Sequence, residues 1–311
     1  MPETRSKFSV NKNLLFFIMV LPGLIWFALL CYLPLFGILL AFKQFHFYRG
    51  GFFVSLFRSQ WIGMQNFYFL FSSDAAWIIT RNTLFYNVAF IIFGTVCSLA
   101  IAIALSELLN KRLAKYYQTF MFLPYFLSII VVGYVLFSFL SIDKGSINHF
   151  LTFFGFQPIQ WYSNPKYWPF IITITYLWKN IGYGSIFYLA GILAIDKHFY
   201  EAAELDGASK WQQIWKITLP ELKPLIIVLV LIGVGQIFQS DFGTFYWLPL
   251  NTGALFPTTN VINTYVFRGL MDSGNVGMTA ATGLYQSIMG FILIVIVNKM
   301  IRKYDSENAL F

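Results

Sequence analysis

The chain has 311 residues, of which 58% are hydrophobic and only 11% are charged, whereas a soluble domain carries about 25% charged residues. This composition predicts a membrane protein with room for roughly six helices of about 20 residues each and no separate soluble domain. The formal net charge is +8. Its basic residues flank apolar runs and form no face with interleaved aromatic side chains, which argues against nucleic-acid binding.

The chain begins with the polar residues 1–13, which are followed by an apolar run from Leu14 to Phe42. A signal peptide has an apolar core of about 7–15 residues and a small-residue cleavage site. The run here is about twice as long and has no such site. We therefore predict a retained first transmembrane helix over residues 14–42, with kinks at Pro22 and Pro34.

Residues 43–82 mix charged residues and glycines with many aromatic residues. This composition is typical of a segment that lies at the membrane surface. We predict that residues 43–82 are extracellular or interfacial.

Five further apolar runs predict the second to sixth spans, within a core of residues 83–303. They are Leu84–Leu105, Phe120–Leu140, Trp168–Ile195, Leu225–Phe245 and Thr279–Val297. Six spans place both termini on one side, and the greater share of the Lys and Arg residues falls on that side. The positive-inside rule makes this side cytoplasmic, so both termini, including the tail 304–311, are predicted to be cytoplasmic.

The connector between the fourth and fifth spans, residues 197–223, is a charged island that must lie in water at one membrane face. Residues 200–205 are good helix formers, and Asp206-Gly207 favours a break after them. Ser209 is a candidate N-cap of a second helix. Leu219-Pro220 predicts the end of that helix, because the residue before a proline avoids the helical region.

This connector resembles the EAA signature of ATP-binding-cassette (ABC) importer permeases. Glu201-Ala202-Ala203 is followed at the spacing of that signature by Gly207, Ile217 and Leu219-Pro220. In that family the loop is the coupling helix that docks on a cytoplasmic ATPase. The resemblance implies this coupling role for Glu201, Ala202, Ala203, Asp206, Gly207, Ile217, Leu219 and Pro220.

A second pattern, before the second span, resembles the sequences of sugar permeases. It consists of Gly63, Asn66, Phe67, Phe71, Trp77, Asn82 and Thr83. Taken together, the chain is most similar to carbohydrate-uptake permeases of the lipoprotein/polysaccharide type. The resemblance implies an all-α polytopic membrane protein with six transmembrane helices and the type I ABC importer permease (MetI-like) fold.

The resemblance also implies the partner proteins of such a permease. It would form half of a pathway for a sugar or oligosaccharide in a bacterial plasma membrane, paired with a second homologous permease. Two cytoplasmic ATPase subunits would bind ATP and Mg, and an extracellular lipoprotein would deliver the solute. This chain itself would bind no cofactor and would not be an enzyme.

Polar residues within the spans are costly in a membrane and usually face a bundle interior or a water-filled path. The fourth and fifth spans contain Lys179, Asn180, Gln236, Gln239, Ser240 and Asp241. Aromatic faces for a sugar ring are offered by Trp178, Tyr183 and Tyr246. We predict that these nine residues line the solute path, the alternative being that they hold helices together.

Other functions are less well supported by the sequence. A non-sugar solute is the main alternative within the importer family, followed by an ATP-independent secondary transporter or channel. An enzyme is not indicated, because the sequence has no P-loop, nucleophile elbow or HExxH motif. His46, His149 and His198 lack metal-ligand spacing, and Cys31 and Cys97 lie within predicted spans, so we expect no metal site and no disulfide framework.

Overall fold

A computed structural model describes residues 12–68, 72 and 74–304, which fold almost entirely as helices. The predictions for residues 1–11, for Phe71 and for the tail residues 305–311 lie outside this range.

The first helix, α1 (Lys12–Phe27), continues through a π-helical turn, Ala28–Tyr32, into a 3-10 helix, Leu33–Phe42. Together they give an apolar stretch over Leu14–Phe42, as predicted. Pro34 stands at the start of the 3-10 helix, directly after the π turn. The proline has no N–H to donate and its ring crowds the preceding turn, so the helix changes type at this point.

The following segment contains a small antiparallel ribbon of β1 (Lys43–Gln44) and β2 (Gln60–Trp61), with Lys43 opposite Trp61. Between the two strands lies α2 (Phe52–Arg58), and a 3-10 turn, Gly63–Phe67, follows β2. Asn66 fastens this segment to the end of the first span by donating from Nδ2 to the carbonyl oxygens of Ala41 (3.1 Å) and Lys43 (3.0 Å).

Twelve helices make up the rest of the described chain. They are α3 (Asp74–Ser106), α4 (Lys111–Phe122), α5 (Ile129–Leu140), α6 (Ser146–Phe153), α7 (Trp168–Ala194), α8 (Lys197–Leu205), α9 (Lys210–Gln213), α10 (Leu219–Gly235), α11 (Phe242–Trp247), α12 (Phe256–Thr259), α13 (Ile262–Met271) and α14 (Val276–Tyr304). Short 3-10 turns at Leu123–Phe126, Trp161–Ser163, Pro165–Tyr167 and Gly253–Leu255, and a π turn at Ile214–Thr218, join several of them.

Four stretches of the described chain are long and apolar enough to cross a membrane: Leu14–Phe42, Asp74–Ser106, Lys210–Gly235 and Val276–Met300. The helices α4 and α5 add a fifth if they count as one bent span. The predicted fourth span corresponds to α7, which has 27 residues. It is less apolar than the others because Lys179 and Asn180 lie near its middle.

The third and fifth predicted spans are not single straight helices. In the third, the helical axis bends by 94° between the 3-10 turn after α4 and the start of α5. Leu127 and Ser128 have extended backbone angles there, with ψ of 132° and 134°. In the fifth, α10 ends at Gly235, and residues 236–241 form a non-helical break before α11.

The prediction that Leu219-Pro220 ends the second connector helix is wrong. Leu219 has helical angles, and Pro220 lies in the first turn of α10, so the chain is helical from Lys210 to Gly235. A π turn, Ile214–Thr218, precedes the proline, and the N–H of Leu219 donates to the carbonyl of Ile214, five residues back. This wider turn accommodates the proline without breaking the helix. A π turn also precedes Leu33-Pro34.

The centre of the bundle is the long contact between α3 and α7, which small residues bring close. Ser98 Oγ on α3 donates to the carbonyl oxygen of Ile181 on α7 at 3.2 Å. Gly182 meets the end of α4 so closely that an added Cβ would lie 1.9 Å from the carbonyl oxygen of Met121. Close approach through small residues is the usual way that helices associate in a membrane.

Candidate functional site

A cavity of about 470 Å³ lies between α3, α7 and the end of α10, at the level where the fifth span breaks. Its polar lining includes Asn87, Thr95, Asn180, Gln236, Gln239 and Asp241. Its aromatic lining includes Phe90, Tyr125, Tyr176, Tyr183, Phe187 and Tyr188. A mostly apolar and aromatic wall with a few convergent polar groups is the usual character of a small-molecule site.

The break in the fifth span positions the polar part of this lining. Asp241 is the N-cap of α11: its carboxylate accepts from the backbone N–H groups of Gly243 and Thr244 at 3.2 Å each and from Thr244 Oγ1 at 2.5 Å. The capping fixes where α11 begins. The chain between Gly235 and Asp241 therefore leaves the helix and presents Gln236 and Gln239 to the cavity.

The side-chain amides of these two glutamines are the freest polar groups of the cavity. Both residues are exposed, and within the described residues neither side chain has a hydrogen-bond partner. The amide of Asn180 donates to the carbonyl oxygen of Tyr176 at 2.9 Å, which leaves its Oδ1 available. An uncommitted amide both donates and accepts, as a hydroxyl-rich ligand requires.

The opposite wall is formed by stacked aromatic rings. Tyr125 and Tyr183 lie nearly parallel with their ring centres 4.4 Å apart, and Phe187 meets Tyr183 edge to face at 5.2 Å. Phe90 stacks on Tyr176 at 3.7 Å. These rings make one side of the cavity apolar and rigid.

Five of the nine residues predicted for the solute path line this cavity: Asn180, Tyr183, Gln236, Gln239 and Asp241. The other four do not. Trp178 lies in a separate apolar groove against α5. Ser240 is buried and accepts from Asn87 Nδ2 at 3.1 Å. Tyr246 stacks on Phe242, with ring centres 4.9 Å apart.

Lys179 is the fourth of these, and it is engaged with the backbone. Its Nζ donates to the carbonyl oxygens of Tyr125 (2.6 Å), Leu127 (2.7 Å) and, more weakly, Pro124 (3.4 Å). These carbonyls lie at the end of the helical turn before the 94° bend. That of Pro124 also accepts from the N–H of Leu127 at 3.1 Å, whereas the other two have no further hydrogen bond within the described residues. The ammonium group therefore caps a helix C-terminus, where a cation is favoured, and ties the bend of the third span to α7.

Lys179→Met is expected to lower the thermal stability of the purified protein even without any solute. Each hydrogen bond from a charged group contributes about 1.5–3 kcal/mol, and methionine leaves the carbonyls of Tyr125 and Leu127 unpaired. The measurement is the unfolding midpoint in detergent, with the exposed Lys166→Met as control. An unchanged midpoint in Lys179→Met would contradict the capping role.

The charged connector lies at the other end of α10 and is built as two capped helices. The side chain of Asp196 caps α8, and Gly207 ends it with φ of +76°. The N–H of Gly207 donates to the carbonyl of Glu204, and the N–H of Ala208 to that of Ala203. This is the Schellman arrangement, in which glycine takes the left-handed position at no steric cost. The predicted cap on the second helix is confirmed, since the Ser209 side chain accepts from the N–H of Gln212.

Several of the predicted coupling residues surround one concave notch of about 300 Å³. Ala203, Asp206, Gly207 and Ile217 line it. Glu201 and Ala202 lie outside the notch, on the exposed surface of α8. Leu219 and Pro220 are not part of either surface, because they belong to the first turn of α10.

The geometry of the connector is held by polar contacts between its two helices. Tyr200 and Thr218 share a hydrogen bond of 2.9 Å between their hydroxyls. Lys210 Nζ lies 2.6 Å from Glu204 Oε1. The hydrogen bond and the positive charge of Lys210 lower the pKa of Glu204 below its usual range, so this exposed pair is ionised at neutral pH.

Some residues of both sites were not predicted. In the cavity these are Asn87, Tyr125 and Tyr176; the polar-residue rule could have found Asn87, which interrupts the apolar second span. In the connector, Leu205 is 90% exposed at the tip of α8. In the sequence, Leu205 is recognisable as an apolar residue in the middle of a charged segment.

The sequence of residues 94–306 matches the family described as binding-protein-dependent transport system inner membrane component. The chain is 31% identical to the polygalacturonan/rhamnogalacturonan transport system permease protein YteP of Bacillus subtilis (strain 168), over 94% of this chain and 89% of YteP. It is 30% identical to protein LplB of the same organism, over 96% of this chain and 92% of LplB. Its fold matches a chain in the crystal structure of a bacterial alginate ABC transporter in complex with alginate pentasaccharide-bound periplasmic protein. The TM-score is 0.84 at 30% identity, covering 95% of this chain and 96% of that chain.

Proposed function

The chain belongs to the family of binding-protein-dependent transport system inner membrane components, and from this premise we propose that it forms half of the pathway of an ATP-driven oligosaccharide importer. Family membership confirms the predicted all-α, multi-pass permease fold and makes the protein a membrane transport component rather than an enzyme. The proposal concerns what the permease carries and how it is driven.

One observation carries the proposal: the second connector helix and the fifth span are a single helical stretch. It runs over Lys210–Gly235, from the notch with the EAA residues to the edge of the cavity. At 1.5 Å per residue its 26 residues reach about 39 Å. A force applied at the connector therefore reaches Gln236 through a continuous helix.

Partner proteins supply the remaining subunits of the importer. Two cytoplasmic ATPase subunits, which bind ATP and Mg, dock on the connector of this chain and on that of a second homologous permease. An extracellular lipid-anchored binding protein delivers the solute, as a periplasmic protein accompanies the alginate transporter. The lysines of the connector, together with Lys111 and Arg112 in the link after α3, support a cytoplasmic position for this face and for both termini under the positive-inside rule.

The cavity supplies the chemistry of sugar binding. Gln236, Gln239 and Asn180 offer amide donors and acceptors to hydroxyl groups, and the rings of Tyr125 and Tyr183 give an apolar wall for the faces of a pyranose.

The direct test is to reconstitute this chain in liposomes with its companion permease, ATPase and binding protein, and to measure ATP hydrolysis against a panel of oligosaccharides. We expect one class of glycan to stimulate hydrolysis and to accumulate inside. If no glycan stimulates hydrolysis but another class of solute does, the protein would be an ABC permease with a non-sugar cargo.

Gln236→Ala and Gln239→Ala are each expected to raise the KM for uptake by about fivefold. Each substitution removes a hydrogen-bonding amide, whose net contribution is about 1 kcal/mol. The measurement is initial uptake rate against glycan concentration. Gln157→Ala, in an exposed loop outside the cavity, is the matched control. A KM that changes in neither cavity variant would remove these residues from the path.

A further inference from the structure

The cavity wall of this chain carries charge of one sign. Apart from tyrosines, Asp241 is the only ionisable side chain that lines it, and no lysine, arginine or histidine of the described residues does. The wall therefore presents one carboxyl group and, among the described residues, no cationic side chain.

Three cations around this region are bound to protein groups, and one of them, Lys179, lies close enough to Asp241 to attract its carboxylate. The three N–H groups of Lys179 point at backbone carbonyls of the bend in the third span. Arg81 donates to the carbonyl oxygen of Pro257 at 2.8 Å. Arg268 binds the side chain of Asn260 and covers the ring of Phe256 at 4.1 Å. Each of the three cations thus fastens one piece of the protein to another.

We propose that the oligosaccharide carried along this wall is uncharged, and not a uronic-acid glycan. This inference rests on the proposed function and narrows it. A carboxylate on every sugar ring would be repelled by the Asp241 carboxylate, and no cationic side chain of the described residues lines the wall to pair with it. Hydroxyl groups meet only amides and rings. The cargoes named for two similar proteins, polygalacturonan/rhamnogalacturonan and the acidic polysaccharide alginate, contain uronic acids, so the inference gives this chain a different class of cargo.

The sign of the charge at the cavity wall can be measured without knowing which sugar is carried. In the assembled transporter, this chain carries Cys31→Ser and Cys97→Ser to remove its own thiols, and Gln239→Cys places one thiol two residues from Asp241. The rates of its reaction with a cationic and an anionic methanethiosulfonate reagent of similar size are each divided by the rate with a free thiol. We expect the cationic reagent to be favoured by about tenfold.

Two further variants test whether Asp241 causes this preference for the cationic reagent. Asp241→Asn keeps a good N-cap for α11 but removes the charge, and it is expected to bring the ratio of rates close to one. Asp143→Asn removes an exposed carboxylate outside the cavity and should leave the ratio as it was. A ratio near one before any change at Asp241, or an unaltered ratio in Asp241→Asn, would overturn the inference.

A protection experiment with added glycans distinguishes the proposed oligosaccharide importer from the narrower inference that its cargo is uncharged. A thiol at Thr95→Cys, also in the cavity lining, is modified in the presence of either an uncharged trisaccharide such as xylotriose or maltotriose, or trigalacturonate. Slower modification with an uncharged sugar alone supports the inference. Equal or stronger protection by trigalacturonate overturns it and leaves the oligosaccharide importer standing. Absence of protection by both, together with absence of glycan-stimulated ATP hydrolysis, would remove the proposed function and the inference with it.

Discussion

Glu201→Arg is expected to abolish transport, lowering glycan-stimulated ATP hydrolysis and uptake by more than tenfold in the reconstituted importer. The Glu201 side chain is 67% exposed, and its one ionic contact within the described residues is His198 at 3.5 Å. The substitution therefore leaves the fold of this chain intact. If the residue faces an ATPase, reversing its charge costs about 2 kcal/mol or more at the docking surface, which is more than tenfold in an equilibrium constant.

The control for this experiment is Asp143→Arg. Asp143 is also exposed and lies in the loop after α5, outside the connector. It is expected to retain coupled hydrolysis. Copurification of the ATPase subunits with each variant distinguishes lost docking from lost activation. Normal coupling in Glu201→Arg would show that the ATPase does not contact this position.

Gly182→Ala is expected to prevent normal packing of the membrane bundle. The added Cβ would lie 1.9 Å from the carbonyl oxygen of Met121 and 2.4 Å from its carbonyl carbon. Because the obstacle is backbone, no side-chain rotation relieves it, and α4 must move away from α7. Overpacking of this kind costs about 1–3 kcal/mol or more, and here it also displaces the carbonyls that Lys179 caps.

The measurement is the yield of monodisperse protein and its unfolding midpoint in detergent. Gly283→Ala, at a helical position with no atom within 4 Å of the added Cβ, is the matched control and should behave as the unmodified protein. An unfolding midpoint of Gly182→Ala equal to that of Gly283→Ala would show that the two helices are not in backbone contact.

The sequence predicted best those features that depend on local chemistry. The first span follows from a long apolar run, the turn of the connector from Gly207, and the second cap from Ser209. In each case the residue acts on its own neighbours, through burial in lipid, a left-handed backbone angle or a hydrogen bond three residues away.

The breaks in the third and fifth spans were not predicted, because apolar character alone does not distinguish a straight span from a bent one. The bend near Leu127 depends on Lys179, about 50 residues later in the chain, which supplies the capping charge. The same residue was predicted to line the solute path, since a cation in a span suggests either a path or a tether between helices. Only its distances to three carbonyls decide between them.

The prediction at Pro220 was wrong in the opposite way, because it placed a break where the helix continues. Pro220 was predicted to end a helix, but the π turn before it absorbs the misfit and the helix goes on into the membrane. The general avoidance of helix before proline holds for regular turns and does not account for a wider one.

The helical stretch from Lys210 to Gly235, which includes the π turn before Pro220, determines how a movement of the connector reaches the membrane. A stiff rod of about 39 Å that tilts by about 10° at one end sweeps the other through roughly 7 Å. The first non-helical residues beyond it are 236–241, among which Gln236 and Gln239 line the cavity. In the proposed importer, a displacement of the connector would therefore reach the edge of the cavity before it reaches α11.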